Sequence, residues 1–112
     1  MRLSREALAL LLAVPVNAWA ADPVTLVLLN NQFSPSEVKV ASGERFRIEV
    51  QNQGSAPAEF ESTDLRVEKI VVPGGKITVM AGPLKPGTYK FFDDYHPETT
   101  GTLTAVDSVA EK

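Results

Sequence analysis

The chain has 112 residues, with fourteen acidic and eleven basic side chains, a single histidine and no cysteine. The weakly acidic balance gives no support to nucleic-acid binding, which favours clustered basic surface. Without cysteine, disulfides, thiolate catalysis, Cys-ligated zinc and iron–sulfur clusters are excluded, and one imidazole cannot build a site that needs two or three.

The first twenty residues read as a secretory signal peptide. Arg2 and Arg5 precede the apolar run ALALLLAVPV, and Ala18-Trp19-Ala20 fits a small-x-small cleavage site. The run is too short for an ordinary membrane-spanning helix, and no later segment approaches about 20 apolar residues. Residues 21–112 then form one small exported domain that does not span the membrane. Removing Arg2, Arg5 and Glu6 leaves nine basic and thirteen acidic side chains, a net charge of about −4. Such a domain must be held by its core, its hydrogen bonds or a bound ion.

After residue 23 the pattern is β throughout. VTLVLL (Val24 to Leu29) is a β-rich run, and EVKV places Val38 and Val40 on one face. ERFRIEV alternates cleanly, with Phe46, Ile48 and Val50 facing one way and Arg45, Arg47 and Glu49 the other, as in a half-buried strand. KIVV and KITVM flank the turn Pro73-Gly74-Gly75, and TYKFF and TLTAV form the last two strands. Recurring turn signals without helical periodicity predict an antiparallel sandwich or barrel. In LKPGTY, a Pro-Gly turn two residues before Tyr89 resembles a tyrosine corner, which gives Tyr89 a folding role.

Two stretches carry unusual charge. In AEFES, Phe60 is the expected core residue, so Glu59 and Glu61 project together from the other face. Like charges so close raise each other's pKa unless a cation sits between them. A solvated acidic edge is the plain alternative. In YKFFDDYHPETTG, Asp93 continues the face of Tyr89 and Phe91. A carboxylate there requires a cation, good donors or an exit to water. Asp93, Asp94, His96 and Glu98 are expected in one loop, and carboxylates with one imidazole suit Fe, Mn, Zn or Cu. A hydrogen-bonded Asp93–His96 loop pair is the alternative.

The run FSPSEVKVASGERFRIEVQNQGSAPAEFES, followed by VPGG, PLKPGTYKFF, DDYH and GTLTAV, resembles the cupredoxin family. The resemblance implies an all-β, Greek-key β-sandwich whose ligand-bearing stretches meet at one end. The family's first histidine falls near Glu59, its cysteine at Asp93, its second histidine at His96 and its axial methionine near Thr99. One of four usual copper ligands is retained, so a blue-copper electron carrier is excluded.

The pattern EFES, LRVEKIVVPGG, LKPGTY and D-x-x-H is similar to the cupredoxin-like periplasmic proteins that accompany bacterial high-affinity iron permeases. That resemblance implies copper or iron as the bound ion. It also implies an inner-membrane iron permease and a second periplasmic iron-binding protein as partners, and a role in oxidising ferrous iron before uptake. It places Glu59, Asp93 and His96 at the metal, with Glu61 as a fourth ligand or hydrogen-bond acceptor. Asp94, Tyr95, Glu98 and Glu68 are unranked outer candidates, and Met80 is expected to be a packing residue. Ferroxidase activity needs an electron acceptor that the sequence does not identify. A copper carrier without redox turnover and a metal-free interaction module are the competing functions. No Ser-His-Asp arrangement supports a hydrolase.

Overall fold

A computed structural model describes residues 23–107; the expected signal peptide lies outside the described residues. The nine strands are β1 (Val24–Leu29), β2 (Gln32–Ser34), β3 (Glu37–Ala41), β4 (Phe46–Asn52), β5 (Ala58–Ser62), β6 (Val67–Val71), β7 (Lys76–Ala81), β8 (Gly87–Asp93) and β9 (His96–Val106). They form two sheets of a β-sandwich, one in the order β2-β1-β4-β7 and the other in the order β3-β9-β8-β5-β6.

The alternation in the sequence decides which faces meet. Ile48 and Val50 of β4 and Leu26 and Leu28 of β1 are buried against Phe60 of β5, Phe91 of β8 and Leu103 of β9. Burying each large apolar side chain contributes roughly 1.5–3 kcal/mol, so these inward rows supply the core that disulfides cannot. Phe33, Phe60 and Phe91 pack together. Phe33 stands edge-on to Phe91 at 5.0 Å between centroids and to Phe60 at 6.1 Å. Gly101 of β9 lies where a side chain cannot fit, because a Cβ there would come 2.3 Å from the Phe91 ring.

The expected wholly antiparallel pairing is corrected at two places. β1 pairs parallel to β4, and β3 pairs parallel to β9. Alternation reports which face is buried and carries no information on neighbour direction, which is set by the connections. The three-residue β2 was too short to register as a pattern, and β9 starts at His96, earlier than TLTAV suggested. The tyrosine corner is present: the Tyr89 hydroxyl donates to the Lys85 carbonyl at 2.6 Å.

Met80 corrects another expectation. It lies on the outward parity of β7 and is 49% exposed, whereas Val79 and Ala81 face inward.

Candidate metal centre

β5 is the hinge of the site because it pairs with β6 on one side and β8 on the other. Glu59 opposes Ile70 and Glu61 opposes Glu68 on β6, while Phe60 opposes Asp93 and Glu61 opposes Phe92 on β8. Cross-strand partners share a face. Phe60 and Asp93 therefore face the core, and Glu59, Glu61, Glu68 and Phe92 face outward.

Asp94 shares the parity of Phe92 and stands in the tight turn after β8. Its backbone N–H donates to the Glu59 carbonyl at 2.9 Å, which draws the turn against β5. Carboxylate oxygens of Glu59, Glu61 and Asp94 consequently lie within 4.8 Å of one another. Glu59 and Glu61 are half-buried and Asp94 is exposed.

The electrostatics follow from partial burial, reinforced by the crowding. Partial burial raises the Glu59 carboxyl to about 7, reinforced by a hydrogen bond to Glu68 and the charges of Glu68, Asp94 and Glu61. Glu61 is raised by burial, then by Asp94 and Glu68. A cation among these oxygens would favour the ionised carboxylates that burial and mutual repulsion disfavour.

Asp93 lies on the other face and is 2% exposed. One carboxylate oxygen, Oδ1, accepts the Glu59 N–H at 3.0 Å and the Tyr95 N–H at 3.0 Å. Its Oδ2 is 3.1 Å from His96 Nδ1. Of the three ways to keep an acid there, good donors are the one observed. His96 lines a cavity of about 170 Å³ together with Asp93, Ala58 and Asn52.

The expectation that Glu59, Asp93 and His96 gather at one point with Glu61 is therefore corrected by strand parity. The four residues fall into two pairs on opposite sides of the β5–β8 ladder, joined through the Glu59 backbone. Asp94, unranked in the sequence, joins the outer group, and Glu68 borders it. Tyr95 contributes its backbone N–H, and Glu98 is exposed on β9, not in a loop.

A cupredoxin-like domain model matches residues 6–105. The chain belongs to the cupredoxin-like family. It is 38% identical over 76 residues to the uncharacterized protein RP394 of Rickettsia prowazekii (strain Madrid E). That match covers 68% of this chain and 61% of the relative's length. Auracyanin from Roseiflexus castenholzii superposes with a TM-score of 0.65 at 17% identity, covering 78% of this chain and 98% of that one. A purple cupredoxin from Nitrosopumilus maritimus gives 0.60 at 16%, covering 74% and 99%. Amicyanin from Paracoccus versutus gives 0.62 at 15%, covering 83% and 90%. At these identities the likenesses establish the fold.

This cupredoxin-like domain does not have the donors of a blue-copper centre, which takes two imidazoles and a thiolate. On β5, the inward residue beside Asp93 and His96 in the cavity wall is Ala58, which offers no ligand atom. The outer trio is a set of oxygen donors, and oxygen donors suit hard cations.

Proposed function

We propose that this cupredoxin-like protein is an exported cation-binding protein that serves ferrous-iron uptake, taking iron at the outer acidic group and passing it towards an inner-membrane permease. The observation that carries the reading is the convergence of Glu59, Glu61 and Asp94, whose carboxylate oxygens lie within 4.8 Å of one another. Three carboxylates favour ferric over ferrous iron by charge, so the group is suited to hold iron through a change of oxidation state once an electron acceptor is supplied. The permease and a second periplasmic iron-binding protein come from the sequence resemblance, as does the periplasmic location.

A copper-carrying reading has one observation in its favour: the His96 imidazole lines the cavity, braced through Nδ1 by Asp93. Imidazole suits copper, and copper binds nitrogen and oxygen sites tightly by general affinity order. Copper binding in solution therefore does not decide between the two. Ferrous uptake by cells lacking the protein, complemented with wild type, with Glu61→Gln and with His96→Ala, does. The iron reading expects Glu61→Gln to fail and His96→Ala to restore uptake. Full uptake without the protein would exclude it.

A further inference from the structure

We infer that the end of the sandwich at which the family resemblance places a metal is closed by hydrogen bonds in this chain, with the Asp93 carboxylate as its clasp and no ion required. The inference is independent of the outer acidic group and concerns the opposite face of the sheet.

The clasp joins three segments. Through Oδ1, Asp93 holds the N–H of Glu59 on β5 and the N–H of Tyr95 in the turn between β8 and β9, both at 3.0 Å. Through Oδ2 it holds His96 at the start of β9. A bound ion would tie the same strands by coordinating side chains from each. Here one buried carboxylate does so with the backbone, and hydrogen bonds to a charged acceptor are about twice as strong as neutral ones.

The two other buried polar side chains at this end, Asn52 and Thr99, are similarly engaged. Asn52, 1% exposed, donates to the Ala56 and Val71 carbonyls at 2.9 Å each and accepts the Gly54 N–H at 2.9 Å. Thr99, 2% exposed, donates to the Asn31 carbonyl at 3.0 Å. Ala58 presents only a methyl group. Each buried polar group here has a partner within the protein, which is the condition for a polar interior that does not depend on an ion.

The test uses a parent with the outer acids neutralised, Glu59→Gln with Glu61→Gln and Asp94→Asn, so that ion binding on that face cannot contribute. Its melting temperature is measured after chelation and after addition of Cu²⁺ or Zn²⁺, and no shift is expected. An ion built into the end would move it by roughly 10 °C; a fall of that size on chelation, restored by Cu²⁺, overturns the inference. In wild type, Asp93→Ala should lower the melting temperature by roughly 10 °C or more. Asp93→Asn should recover most of the loss, because its carbonyl oxygen still accepts both amides. Its amide N–H₂ then donates to Nδ1, so the His96 proton moves to Nε2, a change visible in the imidazole ¹⁵N shifts. An Asp93→Ala protein as stable as wild type, or an unchanged His96 tautomer in Asp93→Asn, contradicts the clasp.

Discussion

The backbone N–H of Glu59 donates to the buried Asp93 carboxylate at 3.0 Å while the Glu59 side chain leaves on the opposite face of the sheet. One residue therefore serves both groups of acids: its main chain completes the inner clasp, and its side chain enters the outer cluster. Changes to the Glu59 side chain should then affect ion binding while leaving the clasp intact.

Glu59→Gln should weaken Fe²⁺ binding measured anaerobically by calorimetry by at least tenfold, about 1.4 kcal/mol, since an amide is a poorer ligand than a carboxylate. The exposed Glu98→Gln, on β9 outside the cluster, should leave the affinity within twofold. Equal effects from the two variants would mean that diffuse surface charge attracts the ion.

Stability should carry a signature of the crowded acids. The folded Glu59 carboxyl is raised from 4.5 to about 7, so between those values the folded chain binds more protons than the unfolded one. Stability from this group is complete below about pH 4.5 and is lost as pH rises through about 7, the reverse of an ion-paired acid. Urea midpoints should therefore fall between pH 5 and pH 8, and Glu59→Gln should flatten that slope. A slope unchanged in Glu59→Gln would remove Glu59 as its source.

The same protonation opposes the cation. Binding at pH 6 must displace the proton held by Glu59, so affinity should drop as pH falls below about 7, with net proton release. Titrations at pH 6 in two buffers of different ionisation enthalpy should give different apparent heats. Identical heats would place the ion elsewhere.

Two structural positions give cleaner checks on the fold. Tyr89→Phe removes the hydrogen bond to Lys85 and should cost about 1 kcal/mol by urea denaturation. Gly101→Ala drives a methyl group into the Phe91 ring and should cost about 3 kcal/mol or prevent folding. A neutral Gly101→Ala would mean that the packing of β8 on β9 is looser than described.

Much of this was legible in the residues. Strict alternation in ERFRIEV and AEFES assigned the buried faces, and the Pro-Gly step before Tyr89 identified the corner, because both are local rules of the backbone. The split of the candidate site was also latent there: Asp93 follows the parity of Phe91 and Asp94 that of Phe92, so Asp94 belongs with Glu59 and Glu61. Pairing AEFES with YKFFD in register was the missing step, since only the Phe60–Asp93 opposition shows which acids share a face. The parallel ladders and the Glu59 N–H that donates to Asp93 come from distant backbone, which no local pattern reports.

The central claim is that a cation is held by the outer trio and not at the inner end. Paramagnetic broadening in ¹H–¹⁵N spectra tests it most directly, with Fe²⁺ added anaerobically in substoichiometric steps. The amide signals of Glu59, Glu61, Glu68 and Asp94 should vanish first, and in Glu61→Gln they should persist at the same Fe²⁺ concentration. Broadening that begins at His96, Ala58 and Asn31 and survives Glu61→Gln would put the ion in the inner cavity and contradict the claim.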